Sequence, residues 1–142
     1  MLVNQFLNAT NELLKVHQSW QQSARQFLKA YDVTYPQFRV LNVLAEVQAE
    51  NKRITQADLS ACTGIDVMTL STIIRNLEAR RLVRRVESRS DTRAKNVYIT
   101  AIGLSLIEEM MPSMEMAAEL FFEDLGDYGK SMLEVLSANT EY

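Results

Sequence analysis

DVMTLSTIIRNLEARRLVRRVESRSDTRAKNVYIT, residues 66–100, carries the strongest structural signals in this chain. Its first part predicts a helix, because apolar residues recur at helical spacing and form one buried stripe. That stripe consists of Leu70, Ile73, Ile74 and Leu77. Asp66 suits the N-cap, since its carboxylate can accept from the free backbone N–H groups of the first turn. The opposite face carries small or hydrogen-bonding side chains that can enter a groove.

The second part of the stretch predicts a basic β-hairpin. Residues 83–87 and 96–99 are rich in β-branched side chains and bracket the polar segment SRSDTRAK. Eight basic residues from Arg75 to Lys95 are opposed by only three acids, so the local charge is +5. A helix with small polar groups beside such a hairpin predicts a DNA-binding surface. The helix fits the major groove, and a hairpin arginine can reach the narrower minor groove.

The residues before this stretch predict the rest of a helix-turn-helix. Thr34 and Gln37 match a capping box at the start of one helix. Thr55 opens a short helix, which Gly64 ends in the left-handed conformation. A short helix, a glycine turn and a second helix form the helix-turn-helix arrangement. Ile54 stands alone among polar neighbours and predicts a short strand that pairs with the hairpin.

Long helices are predicted at both ends of the chain. Residues 3–31 predict one long amphipathic helix. A small domain cannot cover a helix of this length, so its remaining apolar face is predicted to pack against another subunit. Thr100 predicts the cap of another long helix, which continues past Pro112. The predicted fold is mainly α with a small β-hairpin wing. It comprises a winged helix-turn-helix DNA-binding lobe, residues 32–103, and a helical dimerisation lobe, residues 1–31 and 104–142.

Composition restricts the class of protein and its compartment. With 142 residues, 47% of them hydrophobic and 23% charged, the chain matches a soluble globular protein. No apolar run approaches the roughly 20 residues that span a bilayer, and the start lacks the features of a signal sequence. The single cysteine agrees with a reducing compartment, so a cytoplasmic protein without membrane contact is expected. The net charge of −3 is compatible with DNA binding, because residues 51–95 carry +5 and residues 96–142 carry −8.

The order of long helix, helix, helix-turn-helix, wing and long C-terminal helices resembles the MarR family of bacterial winged-helix transcriptional regulators. The most specific pieces are LEARRLVRR at residues 77–85, DTR at 91–93 and YIT-AIG at 98–103. The resemblance implies a homodimer on a pseudo-palindromic double-stranded DNA operator. It also implies a repressor that a small aromatic effector releases. The sequence departs from the family at Arg81, where glycine is common. A left-handed arginine costs roughly 1 kcal/mol, which favours a different helix end here.

Two groups of side chains are predicted to contact DNA. The recognition-helix candidates are Val67, Met68, Thr69, Ser71, Thr72, Arg75 and Asn76. The wing candidates are Arg84, Arg85, Arg89, Arg93 and Lys95. The resemblance implies that Arg93 enters the minor groove and that Asp91 orients the wing through a salt bridge. Arg84 and Arg85 face opposite sides of a strand, so one can contact a phosphate while the other pairs with an acid.

Other features leave alternatives open. A group of ring side chains could line an effector pocket or simply pack in the core; its members are His17, Trp20, Tyr31, Tyr35 and Phe38. Cys62 is expected to pack as a small apolar residue rather than to act as a redox sensor. No metal site, cofactor motif or catalytic constellation is predicted, so an enzyme is not expected. The apolar pair Val67 and Met68 keeps open a second hypothesis, a dimeric winged-helix scaffold that binds protein instead of DNA.

Overall fold

The computed structural model describes residues 4–87, 89 and 93–138. Its elements are α1 (Gln5–Leu28), a 3₁₀ turn (Lys29–Tyr31), α2 (Tyr35–Ala49), α3 (Gln56–Thr63), α4 (Val67–Ala79), β1 (Val83–Glu87), β2 (Lys95–Ile99), α5 (Ala101–Asp124) and α6 (Gly126–Ala138). The two strands pair antiparallel. The mainly helical fold with a β-hairpin wing is therefore confirmed.

The chain divides into two compact units. Residues 31–111 form one, which we call the winged unit, and residues 1–30 with 112–142 form the other, the helical unit. The division lies inside α5, whereas the sequence placed it after Gly103. The start of α5 stays with the winged unit because Thr100, its cap, donates to the Arg81 carbonyl and Gly103 packs on the Leu82 carbonyl.

The helix-turn-helix forms through the local signals that the sequence predicts. The Thr34 hydroxyl accepts from the Gln37 N–H at 3.2 Å, and the Gln37 side chain accepts from the Thr34 N–H at 3.0 Å, which completes the capping box of α2. Gly64 ends α3 with a φ of 71°. Asp66 caps α4 by accepting from the Thr69 N–H at 2.9 Å. The core of these three helices includes Leu41, Leu44, Leu59, Leu70, Ile74 and Leu77.

Helix α4 ends in a Schellman motif whose left-handed residue is Arg81. The Arg81 N–H donates to the Glu78 carbonyl, and the Leu82 N–H donates to the Leu77 carbonyl, each at 2.9 Å. Arg81 has a φ of 61°, the region in which glycine has no steric penalty. The expectation of a different helix end is therefore wrong. Burial of Leu77 and Leu82 holds the turn in place and keeps the arginine in this conformation.

The hairpin is tied to the start of α3. The Val97 N–H donates to the Ile54 carbonyl at 3.0 Å, and Thr55 forms an isolated bridge with Asn96. The predicted contact of this segment with the hairpin is confirmed, but it is an isolated bridge at Thr55 and not a short strand at Ile54. It places the N-terminus of α3 beside the base of the wing.

Thr100 and Gly103 join the hairpin to α5. The Thr100 hydroxyl accepts from the Gly103 N–H at 3.1 Å and donates to the Arg81 carbonyl at 2.7 Å, so the predicted cap is present. Gly103 packs so closely on the Leu82 carbonyl that a side-chain carbon there would overlap the oxygen. Helix α5 then continues through Pro112 as predicted.

Cys62 is exposed on α3, and the expectation that it packs is wrong. Leu59 and Thr63 are the buried residues of this short helix, one turn apart. Since the stripe toward the core is this narrow, the Cys62 side chain remains outside it.

The helical unit leaves many apolar side chains exposed. Ala24 and Leu28 are buried near the end of α1, and the rings of Trp20 and Phe121 lie 5.6 Å apart. The exposed apolar residues include Phe6, Leu7, Leu13, Leu14, Leu133, Val135 and Leu136. In the described part of the chain, no single helix is long and apolar enough to cross a membrane; α3 and α4 pass that test only jointly, across a 114° bend.

Candidate nucleic-acid interface

Helix α4 presents its first turn to solvent. Met68 is 82% exposed and Val67 is 64% exposed. Thr72 and Arg75 continue the exposed line one and two turns further along the helix. This line corresponds to the groove-binding face that the sequence predicts, and the opposite face of α4 is buried.

Several polar groups of this face bond within the protein. The Thr69 hydroxyl and N–H both donate to the Asp66 carboxylate, and the hydroxyl bond is the main cause of a lowered Asp66 pKa. The Thr72 hydroxyl donates to a backbone carbonyl one turn earlier at 3.3 Å. The Asn76 side-chain oxygen accepts from Gln37 at 3.3 Å. These bonds fix the start of α4 and orient side chains that the sequence placed toward DNA.

The two adjacent arginines of β1 have different partners, as the alternation of a strand requires. The Arg85 guanidinium donates to Glu78 at 2.9 Å, across from β1 to α4. This bond is the main reason that the pKa of the Glu78 carboxyl lies below its ordinary value. The Arg84 guanidinium lies 4.7 Å from the centre of the Tyr98 ring, a cation–π contact. Arg85 thus pairs with an acid, while Arg84 lies on the exposed face.

The structure brings the wing and the recognition helix together around one groove. Arg85, Arg93 and Lys95 of the hairpin and Val67 and Ser71 of α4 line this groove. The N-terminus of α3 also contributes residues that were not predicted as part of the site, namely Thr55, Gln56 and Ala57. The pairing of Ile54 with the hairpin was the signal that could have placed them there.

The tip of the wing is described only in part. Arg89 and Arg93 are exposed, and Arg93 also interacts within the chain. Asp91, which the resemblance assigns to wing orientation, lies outside the described residues. Its salt bridge therefore stays a prediction.

The residues predicted for an effector pocket divide between the two units. His17 and Trp20 line an apolar groove of about 220 Å³ inside the helical unit. The other lining residues include Phe121, Phe122 and Met132. Tyr31, Tyr35 and Phe38 belong to the winged unit, and Phe38 is buried there. Within the described ranges, no cluster of three or more His, Cys, Asp or Glu side chains is placed to hold a metal ion.

A helix-turn-helix whose exposed helix lies beside a basic two-stranded wing defines the winged helix-turn-helix class of DNA-binding proteins. The sequence model of the MarR family matches residues 31–94. The transcriptional repressor IacR of Pseudomonas putida is 31% identical over 136 residues, which cover 91% of this chain and 77% of IacR. The chain belongs to the MarR family and is a DNA-binding transcriptional regulator.

Solved structures agree with this fold. A single-residue mutant of Escherichia coli MarR, complexed with operator DNA, has a TM-score of 0.80 at 20% identity, with 100% of this chain and 99% of that chain covered. Bordetella bronchiseptica BpsR, whose DNA binding is regulated by 6-hydroxynicotinic acid, has a TM-score of 0.77 at 25% identity, with 94% and 93% covered. The scaffold hypothesis is not favoured, because the relatives are transcriptional regulators.

Proposed function

We propose that the chain acts as a homodimeric cytoplasmic repressor that binds a pseudo-palindromic operator and is released by a small aromatic compound. The DNA-binding part of this proposal is based on the groove between α4 and the wing. Cationic Arg93 and Lys95 lie there beside Val67 and Ser71. Phosphate contacts supply most of the affinity, and contacts with base edges supply the specificity. Helix α4 enters the major groove, and Arg93 reaches the adjacent minor groove.

The basic wing residues have different roles in this arrangement. Arg89 and Lys95 are exposed and neutralise phosphates. Arg84 lies over the Tyr98 ring with its guanidinium on the exposed face and contacts the DNA backbone. Arg85 is held by Glu78 and positions the wing against α4.

Fluorescence anisotropy tests the DNA-binding step. Duplexes that the protein enriches from a random-sequence pool are compared with scrambled duplexes over a salt series. Tighter binding to the enriched duplex, weakening steeply as salt rises, is expected. Arg93→Ala should weaken this binding by about 1–3 kcal/mol, whereas Arg25→Ala, an exposed arginine of the helical unit, should not. Equal binding to enriched and scrambled duplexes, or unchanged affinity of Arg93→Ala, overturns the proposed docking.

The exposed apolar surface of the helical unit supports a homodimer. Phe6 is 75% exposed and Leu7 is 62% exposed at the start of α1, and apolar surface of this kind marks interfaces. A two-fold dimer places its recognition helices on half-sites about 34 Å apart. Light scattering after size exclusion should give a dimer mass. Leu7→Glu combined with Leu13→Glu should reduce that mass, and Gln18→Glu on the same helix should not. A wild-type monomer at micromolar concentration contradicts this part.

The apolar groove of the helical unit supports an aromatic effector. Trp20 lines this groove and is the only tryptophan of the chain, so its fluorescence reports whether the groove is occupied. Hydroxy-substituted aromatic acids, 6-hydroxynicotinic acid included, should change Trp20 fluorescence and lower operator affinity over the same concentration range. A compound that binds tightly and leaves operator affinity unchanged contradicts release by this route.

A further inference from the structure

The first turn of α4 carries two apolar side chains at the place where a DNA-binding helix meets the bases. Met68 and Val67 are among the most exposed large apolar side chains of the described residues. They are also firmly placed, because the Asp66 cap fixes the turn from which they project. Exposed apolar groups held rigidly at the tip of a helix indicate a contact surface.

The surroundings of this pair indicate the chemistry of its partner. Ser71, Arg93 and Lys95 line the groove next to Val67, and Arg75 lies with Met68 along one exposed strip. An apolar protein partner would have to remove these cations from water without compensation, which is unfavourable. A polyanion that also carries isolated apolar groups matches both the charge and the apolar pair.

Duplex DNA is such a partner. The 5-methyl group of thymine is the apolar feature that a base pair displays in the major groove. The Thr69 and Thr72 hydroxyls and the Asn76 side-chain oxygen bond within the protein, and the Arg75 guanidinium donates to the Thr72 hydroxyl at 3.5 Å. Met68 is the most exposed large apolar side chain of α4. We propose that Met68, flanked by Val67, recognises the 5-methyl group of a thymine in each operator half-site. This inference rests on the proposed docking of α4 in the major groove.

The spacing along α4 separates this contact from that of Arg75. Met68 and Arg75 are two helical turns apart, roughly 10 Å along the helix axis. Base pairs follow each other every 3.4 Å or so, so the two side chains reach different base pairs. The thymine therefore occupies a position of its own in the half-site, distinct from the base or phosphate that Arg75 contacts.

Removing only the methyl group tests the proposal on the unmodified protein. Each thymine of the enriched duplex is replaced in turn by deoxyuridine, and affinity is measured by anisotropy at one salt concentration. At one position in each half-site, the replacement should lower the affinity of the protein for the duplex roughly fourfold, which corresponds to the free energy of burying one methyl group. 5-Bromodeoxyuridine at the same position should restore binding, because bromine has about the size of the methyl group. If no replacement of a thymine changes the affinity, the proposal is wrong.

Variants assign the effect to Met68. Met68→Ala should bind the thymine and deoxyuridine duplexes equally, whereas Met68→Leu should keep the preference for thymine. Ile102→Ala, which removes another exposed apolar side chain of the winged unit, should also keep it. A full thymine preference in Met68→Ala overturns the assignment. The outcomes separate the two proposals: no preference for the enriched over the scrambled duplex refutes docking itself, whereas specific binding that no thymine replacement changes refutes only the methyl contact.

Discussion

Arg85 on β1 is bound to Glu78 on α4 through both its backbone and its side chain. The Arg85 N–H and Nε donate to Glu78 Oε2 at 3.2 and 3.4 Å, and Nη2 donates to Oε1 at 2.9 Å. A carboxylate of the recognition helix thereby sets the position of the first wing strand. Arg85 counts as a basic wing residue in the sequence, but its guanidinium is directed to the protein.

Glu78→Gln should lower the free energy of unfolding at neutral pH by about 1 kcal/mol, since the partly exposed pair is screened by solvent. The pKa of Glu78 is depressed in the folded protein from an ordinary value near 4.5. The contribution of the pair is therefore complete above about pH 4.5 and is lost as pH falls through the depressed folded pKa. Urea unfolding of both proteins between pH 3 and 7 measures the difference. Glu87→Gln, an exposed acid of the same strand, is the control, and a difference that does not shrink at all as pH falls from 7 to 3 would exclude the charge pair as its cause.

Substitutions of Lys95 and Arg85 should have different effects on the salt dependence of DNA affinity. Lys95→Gln should reduce the slope of log K against log salt by about 0.9, the value for one lost phosphate contact. Arg85→Gln should leave this slope unchanged, because its charge is already paired with Glu78. Anisotropy titrations of both variants on the enriched duplex measure the two slopes. A reduced slope in Arg85→Gln would mean that Arg85 leaves Glu78 for a phosphate in the complex.

Arg81→Gly should raise the free energy of unfolding by up to about 1 kcal/mol. The left-handed φ of 61° is strained for arginine and unstrained for glycine. Arg81→Ala keeps the Cβ that causes the strain, so its stability should stay close to that of the wild type. Urea unfolding compares the three proteins, and equal stability of the glycine and alanine variants would show that the turn stores no strain.

Gly103→Ala should destabilise the winged unit by about 1–3 kcal/mol, because the new methyl group overlaps the Leu82 carbonyl. Gly64→Ala is the matched substitution in an open position, where a methyl group meets no atom within 4 Å. Its cost should be limited to the left-handed strain of about 1 kcal/mol. Thermal unfolding ranks the two variants. If Gly64→Ala is the less stable, the close approach at Gly103 does not limit stability.

The caps show why so much of the winged unit was predictable from sequence. Thr34, Thr55, Asp66 and Thr100 each accept from an N–H group three residues later. Such bonds depend on residue type and short spacing, so the sequence contains them directly. Arg81 is the exception. Its Cβ disfavours the left-handed conformation, and burial of Leu77 and Leu82 on either side of it outweighs that preference.

The helices, the hairpin and the basic charge of the wing follow from the amino-acid sequence alone, because helical periodicity, caps and strand alternation act over a few residues. Packing between distant elements sets which of these charged and polar groups point outward. Arg85 meets Glu78 and Asn76 meets Gln37, and Cys62 lies outside the narrow buried stripe of α3. The same packing brings Arg93 to Val67. Partners of this kind are chosen by distance in space, which residue spacing does not encode.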